Sequence, residues 1–304
     1  MPNVWTHICF CESIADTTRN PDPFAKQEAL MKLGAQGPDP FFYYNFWPWL
    51  KNNPLKWIGT LMHTEKCGPF LMDLIESAKS KRKEIRAYVF GFVTHHILDR
   101  HTHPFIHYHA GYDEAKHHKL EINIDTLIMK KYHNLETWKI PVYKEIDVGF
   151  SLDKDIAKLL HQTIKKHFPE VSYSTPKYIQ NAYKHMKLAL KLLADPYGWK
   201  NTMLGQIISP YCYRPLEKNV DFLNTNKKVW HHSATNEKRT ESFDELYKQA
   251  KMIGTEIMNE VLTYWYQGSE EAKERLRNLI GNISYDTGMA VNLKLENKYS
   301  NPII

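Results

Sequence analysis

The order of apolar and polar positions predicts a helical chain. Between 81 and 103, Ile85, Tyr88, Val89, Phe92, Val93 and His96 recur at the i, i+3, i+4, i+7 spacing of one buried helix stripe. Pro104 ends or kinks that helix, because proline has no amide proton to donate, and it biases His103 away from helical geometry. A further helix is predicted over roughly 112–133, and an amphipathic one from Leu152 to Phe168. Thr175-Pro176 reads as an N-cap with proline at the first helical position, opening a helix to Ala194 that stops at Asp195-Pro196. Ser242-x-x-Glu245 is a capping box for a helix running to about Tyr266. Residues 1 to about 80 hold short helical stretches broken by turns. Among these, Leu33-Gly34-Ala35-Gln36-Gly37-Pro38-Asp39-Pro40 is a sharp loop, since two glycines and two prolines do not fit inside a helix. The stretch 200–240 is irregular, and no repeat or strand alternation stands out. The expected class is all-α, with a soft boundary near 147–151.

Composition narrows this only modestly. At 304 residues, 42% hydrophobic and 24% charged, the chain is that of an ordinary globular protein with a sizeable core. The formal charge of +6 comes from scattered lysines and arginines, which suits an anionic substrate but does not establish nucleic-acid binding. Cys9, Cys11, Cys67 and Cys212 are too few for a disulfide framework and read as packed thiols. No signal peptide opens the sequence and no run of 18 apolar residues spans a bilayer, so the cytoplasm is the expected address.

Histidine changes the picture. Half of the sixteen lie between positions 95 and 118, and neutral imidazole is the commonest protein ligand for zinc-class metals. On a helix, residues i and i+4 sit about 40° apart around the axis and ~6 Å along it, so His95 and Asp99 can reach one ion. His117 and Glu121 repeat the relation, and Asp125 follows one turn further on the same face. His101, His103, His107 and His109 lie between the two pairs. His96, in the middle of the apolar stripe, is expected to pack or to donate a hydrogen bond rather than ligate, and in the doublet with His118 the i+4 member His117 is favoured. Asp39 stands on a rigid turn that could aim it inward, although turn aspartates are common. His63 follows an apolar stretch and fits a ligand or a packed core histidine. His133, His161, His167, His185, His231 and His232 lie in polar surroundings and are expected at the surface. The aromatic stretch Phe41–Trp49 reads first as buried packing and second as the wall of a cleft.

The order of these motifs resembles the zinc-dependent phospholipase C family, which is related in fold to the fungal single-strand nucleases. The resemblance rests on early His7, the Gly37-Pro38-Asp39 loop, lone His63, His95-x-x-x-Asp99, a histidine beside Pro104, and His117-x-x-x-Glu121-x-x-x-Asp125. It covers residues 5 to about 125 and implies a metal-binding domain over 1–148, with 149–304 a helical extension packed on it. It further implies two or three clustered zinc ions in a helical fold. Asp39, His63, His95 and Asp99 would hold one ion; His103, His117 and Glu121 a second, with His107 the rival of His103; His7, the N-terminal amine and a bridging Asp99 the third. Relatives chelate with a terminal tryptophan, whereas here Trp5 is internal, and removal of Met1 would leave the amine of Pro2 five residues before His7. The implied activity is phosphoester hydrolysis with Asp39 orienting or deprotonating water, on a small-molecule or lipid phosphoester, with nucleic acid the less favoured substrate. A structural, non-catalytic metal cluster is the reading from another class. An adjacent His-Asp pair is absent and only one Glu-x-x-His (Glu114 to His117) occurs, which demotes the HD-type phosphohydrolases and the di-iron bundles.

Overall fold

A computed structural model describes residues 3–18, 24–47, 50, 53–200, 202–203, 209–216 and 220–304. The expected N-terminal ligand at Pro2, and Pro48 and Trp49 of the aromatic stretch, lie outside the described residues. Among the described residues the chain forms ten α-helices: α1 (Val4–Ala15), α2 (Glu28–Gly34), α3 (Lys56–Thr64), α4 (Cys67–Ala78), α5 (Lys83–Ala110), α6 (Glu114–His133), α7 (Lys154–His167), α8 (Lys177–Leu193), α9 (Phe243–Gln267) and α10 (Glu270–Ile280). The strands are confined to one antiparallel pair, β1 (Trp230–His231) and β2 (Lys238–Arg239), so the all-α expectation holds.

Helix α5 is the axis of the structure, with α1, α2, α4, α6 and α9 packed around it. Ile85, Tyr88, Val89, Phe92, Val93 and His96 are all buried, as the stripe predicts. The helix does not stop at Pro104, however. It runs on to Ala110 with His103 in helical conformation. Proline removes the donor that would reach the carbonyl of Arg100. That carbonyl is covered from outside the helix by Gly288, where an added β-carbon would lie 2.2 Å from the Arg100 oxygen and 3.5 Å from the Pro104 ring. Tertiary packing therefore overrides the local rule.

Two glycines bring α2 onto α5. A β-carbon at Gly34 would stand 2.0 Å from the Tyr88 carbonyl oxygen, and one at Gly91 2.1 Å from that of Met31. The two backbones meet directly, and the chain leaving α2 is thereby held over the middle of α5. Helix α9 starts on the expected capping box: the Ser242 hydroxyl accepts from the Glu245 amide, and the Glu245 carboxylate accepts from the Ser242 amide. Helix α10 escaped the sequence reading, although Ser269 caps it and Ala272, Leu276 and Ile280 repeat every four residues. It leads into the segment 283–288, which lies against α5 and the end of α3. No described helix is long and apolar enough to cross a membrane.

Candidate metal centre

Helix α5 carries His95, Asp99, His103 and His107 at four-residue intervals on one face. The fully buried Asp99 is the hub. Its Oδ2 lies 2.9 Å from His95 Nε2 and 3.8 Å from His63 Nε2. Its Oδ1 lies 3.2 Å from His7 Nε2 and 3.7 Å from His103 Nε2. Asp39, in the short 3-10 turn Asp39–Phe41, closes the first group: its Oδ1 is 3.6 Å from His63 Nε2 and 3.7 Å from His95 Nε2. The His7 and His95 rings stack at 4.1 Å.

Three of the rings are fixed from behind. His63 Nδ1 donates to the Gly59 carbonyl at 2.7 Å, His95 Nδ1 to Ala35 at 2.9 Å and His103 Nδ1 to Tyr285 at 2.8 Å. A carbonyl partner on Nδ1 sets the tautomer and turns Nε2, with its lone pair, into the centre. The Ala35 anchor exists because Gly34 and Gly91 let α2 touch α5. Gly37, at φ +49, then turns the chain past the His95 ring toward Asp39. On α1, His7 is positioned by Asp125, whose carboxylate accepts from the Trp5 and Thr6 amides at 3.0 Å each, from the Thr6 hydroxyl and from Tyr213 at 2.6 Å. Asp125 thus caps α1 and is in none of the candidate metal groups among the described residues. Burial pushes its carboxyl up to about 7 despite those donors.

The donor set fits a cation. His95 Nε2, His103 Nε2, both nitrogens of His7, Asp39 Oδ1 and both oxygens of Asp99 are buried with no hydrogen-bond partner among the described residues. Lone pairs that face one another in a dry site are costly unless a positive charge sits between them. Burial lowers the pKa of His7 and of His103, which keeps them in the neutral form that coordinates. Burial would also raise Asp99, yet the neighbouring imidazoles of His103, His95 and His7 hold it well below the usual carboxylate range. His95 is raised, because Asp99 and Asp39 outweigh its burial. Within the centre, one ligand atom from each of His7, His95 and Asp99 cluster within 4.8 Å, and the same holds for Asp39, His63 and His95.

A second pair lies on α6: His117 Nε2 is 2.7 Å from Glu121 Oε1, and His118, half-exposed, reaches Glu121 Oε2 at 3.4 Å. The His117 ring stands 5.0 Å from that of His107 and 6.4 Å from that of His103. The two rivals for one place are therefore both present, His103 turned to Asp99 and His107 to Asp286. Asp286, 2.6 Å from His107 Nε2, has no counterpart in the sequence reading. It belongs to the segment 283–288, which also accepts from His96 at the Ile283 carbonyl and places the Tyr285 ring 4.4 Å from His96 and 5.0 Å from His63.

Other histidines fall elsewhere. His101 donates to the Ile97 carbonyl and His109 to Phe105, away from Asp99. His161 and His232, expected at the surface, are buried: His161 packs beside Tyr178, and His232 accepts the amides of Ala234 and Thr235 in a tight turn. Of the aromatic stretch, Phe41 is buried, and residues 42–47 are half-buried with the Phe42 ring 5.4 Å from His63.

No curated protein and no solved structure matches the chain. A model of the family described as zinc dependent phospholipase C matches residues 6–178, from α1 into α8 and well beyond the motif-bearing part. Because that match takes in more than half of the sequence, the chain belongs to the zinc-dependent phospholipase C family.

Proposed function

We propose that the protein hydrolyses phosphodiesters of the phospholipase C type at a cluster of two or three zinc ions. The observation that carries this reading is Asp99, whose two oxygens face different sets of imidazoles, as a carboxylate bridging two cations would. Asp39, His63, His95 and Asp99 would hold one ion, His7 and Asp99 another, and His103, His117 and Glu121 a further one.

Such dications, when bound, neutralise phosphate oxygens and lower the pKa of water. The side chains around them have separate tasks. Asp39 has one oxygen turned to His63 and His95 and lies nearer solvent than Asp99, 10% exposed against none. In this reading it orients the attacking water and accepts its proton. Phe42 gives His63 an apolar neighbour that suits the glycerol or acyl part of a lipid phosphoester, and half-buried aromatics follow it in the chain. Burial, with the carboxylates of Asp39, Glu121 and Asp125, pushes the Tyr43 phenol up and keeps it a neutral hydrogen-bond donor.

Replacing Asp99 by Asn tests the assignment. Zinc content measured on the purified protein and hydrolysis of phosphocholine esters should fall together. Full hydrolysis by the Asp99→Asn protein would refute the reading. Single-stranded DNA in the same substrate panel separates a lipase from a nuclease.

A further inference from the structure

We propose that Asp286 is a metal ligand, joining His107 and His103 at the ion given above to His103, His117 and Glu121, so that the family-matched segment alone does not complete that site. This rests on the reading of the centre as a zinc cluster. One ligand atom from each of the three residues lies within 4.8 Å of the other two. Asp286 Oδ1 is 2.6 Å from His107 Nε2. His103 and His107 are four apart on α5 and present neighbouring rings, 5.7 Å between centroids.

A plain ion pair between His107 and Asp286 leaves too much unexplained. His103 Nε2 is buried without a hydrogen-bond partner, and its Nδ1 is already engaged by the Tyr285 carbonyl. His107 Nδ1 is likewise buried and unpartnered. Two imidazole lone pairs and a carboxylate converging in one place are the donor set of a zinc-class cation.

The carboxylate is also held as a ligand would be. Asn297 donates to Asp286 Oδ2 at 2.9 Å and is itself fixed by the Ser233 hydroxyl at 2.6 Å, which leaves Oδ1 turned to His107. The Asp286 amide donates to Ser284 Oγ, whose hydroxyl donates to the His63 carbonyl. Outer partners of this kind orient first ligands in metal sites. A fourth carboxylate besides Asp39, Asp99 and Glu121 also reduces the net positive charge of a multi-ion site.

The experiment uses the full chain, stripped with chelator and reloaded with zinc. Zinc per chain is counted by plasma mass spectrometry, and affinity is read by competition with a chromophoric chelator. Asp286→Asn should lose one ion per chain, or bind its weakest ion roughly 100-fold less tightly, with the others kept. His107→Ala should lose the same ion, and the double variant no more than either alone. If Asp286→Asn folds poorly by circular dichroism, His107→Ala reports on the same ion. Unchanged stoichiometry and affinity in Asp286→Asn and His107→Ala would overturn the proposal while leaving the zinc cluster intact. A wild-type protein that takes up no zinc would overturn both readings.

Discussion

Gly37 stands directly against the face of His95: a β-carbon on this residue would lie 2.4 Å from the ring Cδ2. The backbone there has φ +49, a conformation L side chains rarely adopt. Gly37→Ala should therefore cost about 1 kcal/mol in backbone strain alone. It should also tilt His95 away from Asp99 and Asp39. The expected result is a drop in melting temperature of a few degrees together with weakened zinc binding. A variant with wild-type zinc affinity would show that His95 has room to move.

Metal removal should be felt in the fold as well as in the chemistry. Ligands drawn from α1, the Asp39 turn, α3 and α5 meet at one place, so cations there act as a cross-link of the native state only. At zinc a hundredfold above its dissociation constant, the stabilisation is roughly 3 kcal/mol, and thermal unfolding with and without chelator measures it. Acid should have the same effect as chelator. Asp99 and Asp39 raise His95 above the usual imidazole range, so protons compete with the metal for this ligand. Zinc should leave, with proton uptake, as the pH falls through the raised His95 value and below. Stopped-flow with a zinc dye at stepped pH follows the release.

The contact of α2 with α5 should be intolerant of a single methyl group. Gly91→Ala places a β-carbon 2.1 Å from the Met31 carbonyl oxygen, against backbone that cannot rotate away. A loss of about 3 kcal/mol is expected in urea unfolding. Because Ala35 follows α2 and accepts from His95, zinc affinity should drop with stability.

Away from the centre, Asp244 gives a pH-dependent term whose sign can be stated. It accepts from Tyr132 at 2.6 Å and pairs with Lys131 and Lys248 at 2.7 Å each, tying α6 to α9. Burial opposes these partners, yet they push its carboxyl down to about 2. A carboxyl lowered in the folded state stabilises above its unfolded value near 4 and loses that contribution as pH falls through the folded value. Asp244→Asn should then cost about 1 kcal/mol at pH 7, allowing for the exposed lysines, and clearly less at pH 2, near the folded value. Urea midpoints of the apo forms at the two pH values decide it.

What the sequence revealed depended on whether the relevant spacing was local. His95, Asp99 and His103 share one helix face, so their partnership is written in intervals of four. The same rule found His117 with Glu121. Helix starts were readable for the same reason, as the Ser242 and Glu245 pair shows. Pro104 misled because a proline inside a helix is tolerated where the surrounding packing holds both halves, and no local pattern reports that packing. Asp125 obeyed the helical interval, but its partners are the amides of Trp5 and Thr6, and a carboxylate that caps another helix has no spacing signature. Asp286 sits in a short turn without periodicity, and only the packing of that turn on α5 brings it to His107. His161 and His232 were misplaced because neighbouring polar residues say little about which side of an element faces inward.

The turn after α10 fixes the order in which the centre can come into being. A nascent chain that has emerged as far as residue 178 already contains His7, Asp39, His63 and the whole α5 ladder. The carbonyls that receive His96 and His103, the carboxylate beside His107 and the glycine over the Arg100 carbonyl are all synthesised later, between 283 and 288. Until then His103 lacks the carbonyl that receives its Nδ1, whereas His63 and His95 already have theirs in Gly59 and Ala35. The part of the centre built on His103 and His107 is thereby completed only once residues well downstream of the family-matched segment have been made.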